Sequence, residues 1–486
     1  MSKEHIEVLI VGAGLSGIGA ACHLQAKSPQ TSFAILEGRD NLGGTWDLFR
    51  YPGIRSDSDM HTFGYEFKPW RSSKALADGP AILHYLQETA DENDLNRHIR
   101  YGHQVQQATW CSEKATWTVE VKLKETGRTV TLSCNFLLIC AGYYRYDQGY
   151  SPDFKGRGRF QGQIIHPQAW PEGLDYAGKR VVVIGSGATA MTIVPAMAET
   201  AGHVVMLQRS PTYVWAMPAT DKIDRRLRSV LPDHLAYQLT RWKNIVRQQV
   251  LYQQARRHPA LIKRILLWLL RRELGPDYDL ATHFTPEYDV WDQRICVIAD
   301  GDLYAALRSG RASVVTDQID TFTERGICLQ SGQQLAADII VTATGLNMIP
   351  LGGVCLVVDG QAVDLAESYL YRGLMYSDVP NLASIFGYIN ASWTLRADLM
   401  ADYVCRLLNH MAEGGFQQCT PRLRAEEQGM PARPWIDDFS PGYLQRAISL
   451  LAKQGDSEPW LNRQDYDYDK KILRPRSLED GVLVFR

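Results

Sequence analysis

The apolar positions along this chain gather into short unbroken runs that end in glycine, and they do so twice in the same form. In "IEVLIVGAGLSGIGAACHLQ" the run Val8 to Val11 meets Gly12, and in "KRVVVIGSGATAMTIVPAMA" the run from Val181 meets Gly185. A continuous apolar run of that length, closed by glycine, predicts a parallel strand buried on both faces and a turn into a helix. Small residues at Gly19, Ala20 and Ala21 predict that the first helix packs closely on its sheet. "SFAIL", "HVVMLQRS", "NFLLICAGYY" and "LAADIIVTATGL" predict further strands. "VPNLASIFGYINASWT" predicts a strand ending at Gly387, with Asn390 and Ser392 as caps of the helix that follows. The alternation of strands and helices reads as an α/β fold.

From "DKIDRRLRSVLPDHLAYQL" through "HPALIKRILLWLLRREL" the pattern turns basic and helical, with Pro232 and Pro259 as breaks. This predicts a helical insertion at about 220–290. In "LIKRILLWLLRR" cations stand beside leucines and a tryptophan. Packing on its own domain, or at a dimer contact, is the favoured reading, and contact with a membrane interface is the alternative.

The glycine spacing carries chemistry. Gly12-x-Gly14-x-x-Gly17, with Ser16 inside it, brings backbone N–H groups and a helix N-terminus to a pyrophosphate. Glu37 closes the next strand twenty positions after Gly17, where a carboxylate accepts from a ribose 2′-hydroxyl and repels a 2′-phosphate. The second copy, Gly185-x-Gly187-x-x-Ala190 with Ser186 and Thr189, is followed nineteen positions later by Arg209 and Ser210. A guanidinium and a hydroxyl suit the 2′-phosphate of NADPH. Two sites of opposite preference imply FAD held permanently and NADPH visiting. Asp338 ahead of Thr344-Gly345, and the similar end at Ala141-Gly142, predict a chain that leaves the flavin domain and returns to it.

Composition narrows the class. At 486 residues, two or three domains are expected, and 45% apolar residues, 22% charged and a net charge of -2 give no global bias toward nucleic acid. Nine scattered cysteines with no CxxC pair exclude a disulfide reductase and, with "SKEHIEVLIVGAG" following Met1 directly, predict a reducing cytoplasm. No apolar run reaches the roughly 18 to 20 residues needed to cross a bilayer.

"FQGQIIHPQAWP", Phe160 to Pro171, matches F-x-G-x-x-x-H-x-x-x-W-P position by position. With "GGTWDLFRYPGIRSDSDM" and "NASWT", the chain resembles the class B flavoprotein Baeyer-Villiger monooxygenases from end to end, and is most similar to their mycobacterial ethionamide-activating branch. The resemblance implies two Rossmann-like domains, the NADPH domain inserted in the FAD domain: 1–150 and 336–486 for FAD, 151–335 for NADPH and the helical insertion. It implies that the motif links the two, so that His166 is conformational and stands outside the catalytic set. Gly43, Gly44, Thr45, Trp46, Arg55, Val105 and Asn390 join the cofactor contacts. Asp57 is expected near the flavin, orienting Arg294 of "VWDQRICVI", whose fixed charge would stabilise an oxygen adduct at flavin C4a.

The implied reaction consumes NADPH and O2 and converts a ketone to an ester or lactone, with sulfide or thioamide oxygenation as a further capacity. No metal is expected. A flavin-containing S/N-monooxygenase and a non-turnover flavin-binding sensor are the alternatives, and Trp170 with Arg294 favours the first reading. Many relatives carry lysine where Gln293 stands, which predicts weaker discrimination against NADH. Oligomeric state is left open.

Overall fold

The computed structural model describes residues 4–437, 439–474 and 477–486. Two sheets organise them. In the first, Glu4–Val11 lies between Phe33–Leu36 and Thr129–Ile139, parallel to both. Ile99–Arg100 extends one side, and Leu382–Ser384 returns late in the chain to pair in parallel with Leu137, Leu138 and Ile139. Val11 stands beside Leu36 and Ile139, so these strands end level and share one carboxyl edge, where ligands of open α/β sheets bind. An antiparallel meander, His103–Cys111, Thr116–Leu123 and Thr129–Ile139, completes that sheet with Cys355–Val358 beside it.

The second sheet is wholly parallel, in the order Ala312–Thr316, His203–Gln208, Arg180–Ile184, Ile339–Thr342, Gln163–Ile165. Its central strands read as unbroken β-branched runs because helices or the neighbouring small sheet cover them: Val182 and Val183 have no exposed surface, nor do Val8, Leu9 and Ile10 of the first sheet. Burying one such side chain contributes roughly 1.5–3 kcal/mol.

The chain crosses between the sheets twice, and the crossings pair with each other. Arg145 N–H donates to Asn347 O at 2.8 Å, Tyr150 N–H to Gly345 O at 3.0 Å and Ile349 N–H to Tyr143 O at 3.0 Å. His166 is seated against this connector. Its Nδ1 accepts from Gln168 N–H at 3.2 Å, which leaves Nε2–H to donate to Gly345 O at 3.1 Å. The ring covers Gly149, where a Cβ would come within 2.0 Å of it. Phe160 is buried with Val182 and Phe322, and Trp170 packs on the core of the second sheet. The motif thus spends its residues on anchoring a connection.

The insertion is helical as expected: Lys222–Arg228, Asp233–Arg257, Pro259–Leu274 and Leu280–Phe284. Pro232 occupies the cap of the second helix and Pro259 the first position of the third, where a missing N–H costs nothing. Among the described residues no helix is long and apolar enough to cross a membrane.

Candidate active site

Both glycine turns open onto one cleft of about 1640 Å³. Gly12 has φ +103°, and a Cβ there would stand 2.7 Å from Cys140 O. A Cβ on Gly17 would stand 1.9 Å from Gly12 O, so glycine at both places lets the helix Leu15–Lys27 begin directly against the turn. Gly185 repeats the first constraint with φ +136° and a Cβ position 2.3 Å from Ala343 O, while Ala190, the third position, carries its methyl fully buried. Apart from its own chain neighbours, no atom of the described residues lies within 4 Å of a Cβ built at Gly187, so packing alone does not demand glycine there.

Glu37 is buried at the strand end. Its Oε2 accepts from Ala13 N–H and its Oε1 from Arg39 N–H, both at 2.8 Å. Burial pushes the carboxyl up and the two N–H donors pull it back. Each oxygen retains a second lone pair, and the residue lines the cleft.

Where the two sheet systems meet, Arg294 forks onto Asp57. Nε donates to Oδ2 and Nη2 to Oδ1, each at 2.8 Å, the two-point geometry of the strongest guanidinium–carboxylate pairs. Arg294 stands just ahead of the strand Cys296–Ala299, after a tight turn in which Trp291 has φ +76°. Arg256 holds this turn through Asp292 at 2.7 Å, and Tyr252 meets the Trp291 ring edge-on at 5.3 Å. Burial would lower the pKa of the guanidinium, but Asp57 and the nearby Tyr143, Tyr443 and Tyr144 hold it above its ordinary value. The side chain nevertheless keeps 33% of its surface exposed, facing the cleft. A permanent, oriented cation therefore projects into the cavity.

Most residues expected at the site line this cleft. Gly12, Gly14 and Ser16 do so with Gly43, Gly44, Thr45 and Trp46. Arg55, Asp57 and Val105 follow on the same side, and Gly185, Ser186, Gly187, Thr189, Arg209 and Ser210 lie on the other. Arg209 and Ser210 are exposed, and Ser186 Oγ donates to Ser210 O at 3.1 Å.

The expected caps are not made, and two of the expected cofactor contacts lie outside the cleft lining. Gly17 is outside the cleft lining, because it packs on its own turn. Asn390 is also outside it, its Nδ2 donating to Gln464 O at 3.0 Å. Neither Asn390 nor Ser392 caps the helix Trp393–Gly414 through its side chain, since Ser392 Oγ is 2.6 Å from Thr62 Oγ1 instead. Arg55, which lines the cleft, is held by Asp302 at 2.5 Å.

Sequence reasoning missed the aromatic wall. Tyr143 is 2.8 Å from Tyr144, hydroxyl to hydroxyl, and lies nearly parallel to Trp393, whose indole N–H donates to Ser16 Oγ at 2.8 Å. The paired tyrosines directly after "NFLLICAG" were the available signal, since they follow the carboxyl edge of a central strand.

The chain matches known proteins over its full length. Residues 76–351 fit the flavin-binding monooxygenase-like family and residues 10–77 an NAD(P)-binding Rossmann-like domain. It is 52% identical to the putative FAD-containing monooxygenase MymA of Mycobacterium tuberculosis, covering 99% of this chain and 98% of the relative. It is 50% identical to the FAD-containing monooxygenase EthA of Mycolicibacterium smegmatis, covering 99% and 97%. Among solved structures, an oxidized steroid monooxygenase bound to NADP superposes with a TM-score of 0.78 at 22% identity, covering 99% of each chain. An open form of cyclohexanone monooxygenase gives 0.77 at 18% identity over 100% of each. The two glycine turns on one cleft and the half-identical relatives agree, and the chain belongs to the flavin-binding monooxygenase-like family.

Proposed function

We infer that the cleft holds FAD against the first glycine turn and NADPH against the second, and that the protein is a Baeyer-Villiger monooxygenase. The two relatives named above are described as FAD-containing, and the steroid monooxygenase was solved with NADP. The residues present fit both cofactors. Gly12 and Gly185 are turns that a Cβ would fill, Glu37 is fixed beside the first turn, and Arg209 with Ser210 is exposed beside the second. On this reading residues 1–150 and 336–486 form the FAD domain and 151–335 the NADPH domain with its insertion.

The observation that carries the reading is the Asp57–Arg294 fork at the junction of the two units. Bound there, FAD would supply the redox chemistry, carrying electrons from NADPH to O2. One oxygen atom is inserted beside a ketone carbonyl to give an ester or lactone, and the other leaves as water. The protein's own contribution is electrostatic and geometric. Asp57 holds the Arg294 guanidinium in one orientation, so the charge is in place before negative charge develops at the substrate carbonyl oxygen. Tyr143, Tyr144 and Trp393 wall the cleft with apolar faces that exclude water, which strengthens that charge.

The direct test is reduction of the purified holoprotein in the absence of oxygen. NADPH should bleach bound flavin rapidly, and Arg209→Ala should slow reduction at low NADPH while leaving the flavin content unchanged. A protein that purifies without flavin, or that NADPH never reduces, would overturn the reading.

A further inference from the structure

We propose that the helical insertion is a docking surface for anionic lipid, seating the protein peripherally on a membrane without crossing it. The helix Asp233–Arg257 is built inside out. Its inward face is polar: Arg241 Nη1 donates to His61 O and Gly64 O at 2.8 Å, and Asn244 Nδ2 to Asp59 Oδ1 at 2.9 Å. Thr240 Oγ1 lies 3.2 Å from Asp224 Oδ1, and Gln248 Nε2 3.0 Å from Asp59 Oδ2. With its polar side committed to the protein, the helix turns the other side to solvent, and that side is apolar. Leu235, Leu239, Trp242, Val246 and Val250 recur at spacings of three and four, within roughly 80° of arc at 100° per residue. Trp242 keeps 64% of its surface exposed and Val250 48%.

The next helix, Pro259–Leu274, packs Ile262, Leu266 and Leu270 inward and carries a second apolar stripe outside. Leu261, Ile265, Trp268 and Leu269 form its exposed stripe, with 53% exposure at Leu261 and 55% at Trp268, and Leu270 is its one buried residue. A monomeric soluble protein rarely leaves apolar stripes uncovered on two successive helices.

Charge decides what covers them. Residues 222–274 contain thirteen Lys or Arg against three Asp or Glu, in a chain whose net charge is only -2. Of the three acids, Asp224 is buried against Arg228 and Glu273 is paired with Arg308; of the cations, Arg228, Arg241, Lys243 and Arg256 are committed to partners within the protein, and Lys222, Arg225, Arg226, Arg247, Arg257, Arg264, Arg271 and Arg272 are exposed. Arg264 and Arg272 border the second stripe, and Arg272 lies 4.9 Å over the Trp268 ring. A second copy of this chain, meeting it face to face across a two-fold axis, would press cation on cation. An anionic bilayer instead accepts tryptophan and leucine below its headgroups and arginine among them.

The test uses the full-length holoprotein, pelleted with vesicles of mixed phosphatidylglycerol and phosphatidylcholine or of phosphatidylcholine alone. Wild type should pellet with the anionic vesicles and stay in solution with the neutral ones. Each cation near such a surface is worth on the order of fivefold in partition, so Arg264→Glu/Arg272→Glu should bind at least about twentyfold less. Trp242→Ser/Trp268→Ser should lose roughly tenfold while retaining flavin and thermal stability, because both rings are exposed. Equal binding to neutral and anionic vesicles, unchanged binding by both variants, or no binding at all would overturn the proposal. So would light scattering that showed a wild-type oligomer dissolved by the tryptophan variant without vesicle binding, since the stripe would then be covered by a second copy.

Discussion

Replacing Arg294 by alanine isolates the charge at the junction. The wild-type guanidinium makes two 2.8 Å bonds to Asp57, with 33% and 25% of the two side chains exposed. Solvent screening at that exposure limits the stability loss to about 1 kcal/mol, and the variant should fold and retain flavin. The catalytic loss should be larger, because a fixed donor aimed at developing charge is worth about 2.7–4 kcal/mol, or roughly 10²- to 10³-fold in rate. Arg294→Lys keeps a cation but cannot fork onto Asp57, and should recover about tenfold of that deficit. The assay is ester formed per NADPH consumed at saturating ketone, with hydrogen peroxide measured in parallel. Ester should fall by the predicted factor while NADPH oxidation continues as peroxide. An alanine variant with full flavin content and ester formation within about threefold of wild type would refute the electrostatic role.

Three further outcomes follow from the same geometry. Gln293→Lys adds a cation to the cleft that Arg209 also lines, and kcat/KM for NADPH over NADH should rise about tenfold or more; no change would place position 293 away from the 2′-phosphate. His166 is held below its ordinary 6.5 by burial, so the unfolded chain takes up a proton first and stability should fall as pH drops from 6.5 through the lower folded value. Thermal midpoints across that window should flatten in His166→Gln, and an equally steep profile would contradict the assignment. Gly17→Ala places a methyl 1.9 Å from Gly12 O, and should yield protein depleted of flavin or insoluble; a fully flavinated variant would show that the turn can relax.

The backbone frame was legible because its signals are local. Glycine turns after apolar runs name their own strand, turn and helix, and the acid and the arginine stand at the next strand ends, as the spacing predicts. Arg294 and Asp57, 237 positions apart, became a pair only through resemblance, and the structure brings them to 2.8 Å. Partners set by packing were not legible. Asn390 turns to Gln464 because a tertiary neighbour outcompetes the local cap, and the pairing of Arg55 with Asp302, 247 positions away, has no local signal. Which face of the helix Asp233–Arg257 turns inward was not legible for a related reason. Its apolar residues would ordinarily mark the buried face, yet Asp59 and the carbonyls of His61 and Gly64 require a polar one, and the stripe points outward.

The central claim, oxygen insertion beside a carbonyl driven by NADPH, is tested most directly by turnover of the holoprotein with a ketone under isotopically labelled dioxygen. The expected product is an ester or lactone carrying one labelled atom for each NADPH consumed. NADPH oxidation that gives only hydrogen peroxide, unchanged by any ketone in a panel of linear, cyclic and aromatic ones, would contradict it.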